Sequence, residues 1–268
     1  MRYAVTVRFG RRLLLAAMVA AIAAAPSFAD GSTPPPTSTT TTQTATPAPK
    51  AAAGASTTRT TFRVNTIFPA AGQLLVNSVP ARVSPSPHAR VIKVMHMFRP
   101  DYRTQEILAL STTLGSDGKA WYRISVPMRP NGVKGWIPAR SVTLAPTVSQ
   151  IVIHRNARTI DIYWHRKHAL HAIVAVGAPG METPVGHYYV AARFVPYQDP
   201  FLGVFAVETS AYSKLTEWPG GGVVGIHGTS MPQLLGQAVS HGCVRVSNQT
   251  AAAMRKLAPL GTPITITD

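Results

Sequence analysis

From Thr60 onward, the apolar residues come in runs no longer than a strand, with turn residues between them. Val91-Ile92-Lys93-Val94-Met95 and Ile107-Leu108-Ala109-Leu110 are two such runs. Ser116-Asp117-Gly118 and Pro130-Asn131-Gly132 punctuate them, and the helical period is weak. The rhythm continues in Ile151-Val152-Ile153, Thr159 to Trp164 and Ala172 to Gly177. Asn156-Ala157-Arg158 and Arg166-Lys167 fit hairpin connections. One helix is predicted, over Asn248–Leu257, with Ser247 or Asn248 as its cap and Arg255 and Lys256 at its negative end. Pro263 to Thr267 is expected to close the last sheet. The chain is therefore predicted to be mainly β with few helices.

The first 29 residues read differently. Arg2, Arg8, Arg11 and Arg12 precede an uncharged Leu/Ala-rich run from Leu13 to Ala25, and Ser27-Phe28-Ala29 supplies small residues before a cut. This is the pattern of a secretory signal peptide. The run is shorter than the roughly 20 residues that span a bilayer, so no transmembrane span is expected once the signal is removed. Residues 30–59, dominated by Thr, Pro, Ala and Ser, form a linker that cannot bury enough apolar surface to order itself. The folded part then divides into residues 60–146 and 147–268.

Charge is uneven across these segments. The chain has 26 Lys and Arg against 10 Asp and Glu. Residues 60–149 hold 11 of the basic residues and 3 of the acidic ones. An anionic wall polymer would suit that surface, as would plain solvation. Nucleic acid is excluded as a partner by the export signal and by the lack of any nucleic-acid motif.

Cys243 is the only cysteine, so no internal disulfide can form. A lone thiol in an exported chain is either an intermolecular link or a reactive group. Its surroundings favour reactivity. Ile226-His227-Gly228-Thr229 is followed by Ser240-His241-Gly242-Cys243-Val244-Arg245. A thiol is a poor nucleophile until ionised, and a nearby imidazole can take its proton and hold the thiolate as an ion pair. Gly228 and Gly242 permit tight backbone geometry, and N–H groups near Gly242 and Cys243 could stabilise an oxyanion. A zinc site on His227, His241 and Cys243 lacks the ligand number and spacing of a structural site. A buried, inert cysteine is the plain alternative.

The His227-Gly228-Thr229 and Ser240-His241-Gly242-Cys243-Val244-Arg245 segments resemble the signature of the L,D-transpeptidase (YkuD) family. Gly177 to Gly186, with Thr183-Pro184, resembles an earlier motif of that family. Arg245 stands where many members have Asn, and the His227-to-Ser240 spacing is shorter than in some. Residues 60–146 resemble a bacterial SH3-like domain through Ala81-Arg82-Val83-Ser84-Pro85-Ser86-Pro87, Trp121-Tyr122-Arg123-Ile124 and Gly135-Trp136-Ile137-Pro138. Trp121 and Trp136 are equally readable as core.

The resemblance implies a small SH3-like β-barrel followed by a β-sandwich catalytic domain. It implies an exported enzyme, placed in the periplasm or cell wall, that acts on peptidoglycan stem peptides. Cys243 would attack the bond before the terminal D-alanine, and an acceptor amine would resolve the thioester into a 3→3 cross-link. His227 would be the base, oriented near Gly228 and Thr229. His241, Gly242, Ser240 and Gly228 would shape the oxyanion site, and Arg245 and Thr229 would bind substrate. His241 is equally readable as structural, and Arg245 as an internal ion pair or surface charge. No metal or organic cofactor is implied. Hydrolysis of the same thioester (an L,D-carboxypeptidase) and a catalytically silent wall-binding module remain open. Tyr188, Tyr189, Tyr212 and Trp218 are cleft candidates, although strand aromatics are more often core. Gly220-Gly221-Gly222 is expected to be a flexible loop beside the site. His154, His165, His168, His171 and His187 are expected to be surface or core residues rather than ligands.

Overall fold

A computed structural model describes residues 66–217 and 219–268. The expected signal (1–29), linker (30–59), the first residues of the 60–146 segment and Trp218 lie outside the described residues. No helix among the described residues is long and apolar enough to cross a membrane.

The described residues are mainly β. Seven strands come first: β1 (Ala70–Leu74), β2 (Ser78–Arg82), β3 (Val91–His96), β4 (Glu106–Leu114), β5 (Ala120–Ser125), β6 (Lys134–Pro138) and β7 (Val142–Pro146). They form one antiparallel sheet in the order β3-β2-β6-β5-β4-β1-β7. Ten more follow: β8 (Ser149–His154), β9 (Thr159–Trp164), β10 (Lys167–Ile173), β11 (Val176–Gly177), β12 (Gly186–Phe194), β13 (Ala206–Tyr212), β14 (Val223–His227), β15 (Ala238–Ser240), β16 (Val244–Arg245) and β17 (Pro263–Thr267). Eight of these make a second sheet in the order β10-β9-β8-β17-β12-β13-β14-β16, and β11 pairs with β15. β17 does not close this sheet at an edge as expected. It lies inside it, parallel to β8 and antiparallel to β12, because its alternating Ile264 and Ile266 bury against the core.

Most turns form where the sequence places them, but the β9–β10 turn falls one residue before the expected Arg166-Lys167, because Lys167 already pairs with Trp164. Gly118 and Gly132 adopt φ of 68° and 84°, the left-handed region that glycine enters freely. The β9–β10 hairpin turns on His165 and Arg166, both at positive φ. The single helix, α1 (Asn248–Leu257), has the expected bounds, and Ser247 Oγ accepts from the Thr250 amide at 3.1 Å. Its Ala251 and Met254 join the core of the second sheet with Ile151, Ile153, Ile160, Val207, Ile226 and Val244. The first sheet has its own core around Met95, Ile107, Ile124 and Ile137. Trp121 is 2 % exposed, and its indole N–H donates to Asp117.

Residues Thr61–Asp268 are one compact unit, and three sets of contacts join the two sheets. Leu108 packs with Tyr189 and Ala191. Arg99 and Arg103 pair with Glu208. Asn131 mimics a ladder by donating to the Tyr212 carbonyl at 2.7 Å and accepting its amide at 3.0 Å. Beside it, Arg129 lies over the Tyr212 ring and donates to the carbonyls of Ser213, Leu215 and Gly221. Arg129, from the connection between β5 and β6, thus reaches the glycine loop. Arg82 and Lys93 also bond backbone carbonyls, so part of the positive charge of residues 60–149 is used inside the molecule.

Glu106 sits at this junction and is 5 % exposed. Burial pushes its carboxyl up to about 7, with a Gln73 hydrogen bond opposing. A folded-state value above the unfolded one means that the native state binds this proton more tightly. Its contribution is complete below about pH 4.3 and is lost as pH rises through 7, a change of about 3 kcal/mol. Glu106→Gln should flatten this slope and make the protein more stable than the parent at pH 8. Urea unfolding at pH 5, 6, 7 and 8 measures it.

Candidate active site

The site forms on the β14–β16 edge of the second sheet. These strands are parallel, with Ile226 beside Val244 and His227 beside Arg245. Extending the register puts Gly225 beside Cys243. Alternation then places Gly225, His227, Cys243 and Arg245 on one face. Both side chains lie beside Gly225: a Cβ built there would be 3.7 Å from His227 Cδ2 and 3.8 Å from Cys243 Sγ. The Gly225 amide donates to Cys243 Sγ at 3.3 Å.

His227 is 3 % exposed. Its Nδ1 lies 2.6 Å from the Gly228 carbonyl. A carbonyl can only accept, so Nδ1 carries the hydrogen and Nε2 is left as the base. Burial lowers the imidazole below its ordinary value, with Arg245 adding to the effect and the Gly228 bond and Asp199 opposing it. Burial raises the Cys243 thiol, while the Gly225 amide and Arg245 pull it back. Both shifts favour the neutral thiol and the neutral imidazole over the ion pair that sequence reasoning expects. The cause is desolvation, which disfavours both charged forms.

The cysteine turn is built by Ser240. Its Oγ accepts from the Gly242 amide at 3.1 Å and donates to the Cys243 carbonyl at 2.5 Å. The Gly242 amide is therefore committed to the turn and is not an open oxyanion donor. Gly242 sits at φ 117°, and a Cβ there would come within 2.9 Å of Ser213. His241 lies partly buried at the same turn.

Thr183 locks the turn to the rest of the fold. It is fully buried, donates to the Gly242 carbonyl at 2.9 Å and accepts from the Gly177 amide at 2.9 Å. The Gly177-to-Gly186 motif holds this residue, but nothing local indicates that it reaches Gly242, 59 positions away. Thr183→Val keeps the shape and strands two buried groups, at roughly 1–3 kcal/mol each. A misplaced turn should lower kcat on the order of 100-fold, whereas Thr183→Ser should retain most of it. Parallel kcat and melting measurements check both.

Two residues outside the motifs complete the site. Phe201, on the turn Pro200–Leu202, stacks near His227 with ring centroids 5.9 Å apart and lies under the Arg245 guanidinium at 4.7 Å. Asn248 Oδ1 accepts from the Val204 amide at 3.2 Å. A Cβ on Gly203 or Gly228 would collide with that oxygen, so Gly228 serves close packing of this loop. Arg245 is 6 % exposed, has no carboxylate within ion-pair distance among the described residues, and keeps a buried Nε without a partner. Covered by Phe201, it offers little surface to a substrate carboxylate and instead faces Cys243 electrostatically. Thr229 is 2 % exposed, and its hydroxyl accepts from the Met231 amide, a contact that shapes the loop. Tyr188 and Tyr189 are core. Tyr212 lines a cleft of about 630 Å³ with Arg129, Glu182, Ser213 and Lys214. That cleft borders the Gly242 turn through Ser213 but does not include Cys243.

Residues 149–266 match the model of the L,D-transpeptidase catalytic domain, YkuD. The chain is 30% identical over 118 residues to the putative L,D-transpeptidase YkuD of Bacillus licheniformis, covering 44% of this chain and 65% of that protein. To its namesake in Bacillus subtilis it is 29% identical, over 43% of this chain and 64% of that protein. The chain thus spans just under two thirds of the length of these curated relatives. Among solved structures, L,D-transpeptidase 3 from Mycobacterium tuberculosis, in complex with a faropenem-derived adduct, is similar at TM-score 0.40 and 16% identity. That match covers 61% of this chain and 91% of that one.

Proposed function

We propose that the protein, whose residues 149–266 match the model of the L,D-transpeptidase catalytic domain, is an exported cysteine acyltransferase that forms 3→3 cross-links between peptidoglycan stem peptides. The observation that carries this is the shared face of β14 and β16, where His227, its Nε2 left as the acceptor, and Cys243 flank Gly225.

The chemistry follows from the resting protonation states. His227 Nε2 takes the thiol proton as Sγ attacks the carbonyl between the third residue and the terminal D-alanine. The Gly225 N–H and the Arg245 charge stabilise sulfur as it becomes anionic. The oxyanion is assigned to the Cys243 amide, the next donor along from the committed Gly242 amide. The imidazolium then returns its proton to the departing amine, the C–N bond breaks, and D-alanine leaves a thioester. An amine of a second stem attacks that thioester, passes a proton to His227, and restores the thiol.

The expected signal at 1–29 and linker at 30–59 would deliver the folded unit to the wall. The expected SH3-like segment, 60–146, braces the loop 213–222 beside the cleft through Arg129 and Asn131 and carries the basic residues for anionic wall polymer. Incubation with purified tetrapeptide muropeptides, read by mass spectrometry, tests the assignment. Dimers linked 3→3 are expected. Tripeptides alone would make it a carboxypeptidase, and unchanged substrate a binding module.

A further inference from the structure

On the β10 end of the second sheet, away from Cys243, four side chains converge that the acyl-transfer reading does not use. His168 Nε2 and His171 Nδ1 approach the same oxygen of Asp161, at 2.7 and 2.9 Å. His154 Nε2 lies 3.6 Å from the other carboxylate oxygen.

The ladder explains the convergence. Asp161 lies beside Val152 in β8 and beside His171 in β10. His154, two residues past Val152, shares that face. His168 and His171 are three apart, a spacing that puts side chains on opposite faces of a regular strand. The register shifts between His168 and Leu170, and this bulge returns both imidazoles to one face. Outer contacts orient the rings. Tyr163 meets His168 edge-on at 5.3 Å. Thr267 Oγ1 lies 3.3 Å from His154 Nδ1, leaving Nε2 toward Asp161.

We propose that Asp161, His168 and His171 are a binding site for a late first-row divalent cation, Zn²⁺ foremost. The donor set is two imidazoles and a carboxylate, which suits such ions and not Ca²⁺ or Mg²⁺, which take oxygen ligands. The three ligand atoms lie within 4.8 Å of one another. A cation about 2.0–2.2 Å from each needs them to separate by only roughly half an ångström. The imidazoles are half-exposed and the carboxylate side chain is 15 % exposed, so the ion has an open approach and one anchored anionic ligand. Bound there, it would tie the edge strand β10 to β9, and it would stabilise the fold by mass action.

The test is calorimetric titration of the full chain with zinc chloride after EDTA dialysis, with melting followed in parallel. One equivalent and a saturable rise in Tm are expected, and both should persist in Cys243→Ala. The double variant His168→Ala/His171→Ala should bind far more than tenfold weaker, a loss above that of an outer-shell partner. Its Tm in EDTA should match the parent's, which separates lost binding from lost folding. Absence of saturable binding in the parent would overturn the proposal. So would unchanged binding in the double variant, or binding lost in Cys243→Ala.

Discussion

Cys243→Ala should reduce 3→3 dimer formation by on the order of 10⁶-fold, the scale seen when a covalent nucleophile is removed. It should also abolish covalent labelling by a carbapenem, whose strained ring carbonyl is opened by a thiolate. Folding should survive, because the thiol is only partly buried and the contact it gives up is a hydrogen bond from the Gly225 amide. Losing it should cost about 1 kcal/mol. Intact-mass measurement after carbapenem exposure, beside a melting curve, reads both. Labelling that persists in Cys243→Ala would remove this residue from the mechanism.

His227→Gln should lower kcat by about 10²–10⁴-fold, the usual range for loss of a general base, and it should change the pH profile in a defined direction. The base works when neutral. Burial holds the imidazole below its ordinary value, so the rising limb of kcat/KM in the parent lies below about pH 6.5. Without His227 that limb disappears. The residual rate then depends on spontaneous thiolate, and burial raises that thiol, so activity should climb toward alkaline pH. A profile that keeps its acid limb in His227→Gln would assign the base to another residue.

Much of this arrangement is legible in the sequence because it is local. The strand-length runs, the Asp117-Gly118 and Asn131-Gly132 turns, and the cap and bounds of α1 all follow from residues within a few positions of one another. The motif around Cys243 is what points to thiol chemistry. What it does not carry is register. His227 and Cys243 share a face only because β14 and β16 pair in parallel with Gly225 beside the cysteine. The roles of Thr183, Phe201 and Asn248 depend on contacts with residues distant in the chain. Burial is also a property of the assembled fold, and it favours the neutral forms of Cys243 and His227 over the expected ion pair. The histidines of β10 read as ordinary surface residues because a one-residue bulge cannot be seen in the spacing of His168 and His171.

The acyl-enzyme itself is the central claim. The full chain should be mixed with a tetrapeptide stem in the absence of an acceptor, quenched in acid, and digested for peptide mapping by mass spectrometry. The account predicts an adduct on the peptide containing Cys243, with the mass of the stem less D-alanine and consistent with a thioester. D-alanine released with no adduct on Cys243 at any quench time, or an adduct on another residue, would contradict it.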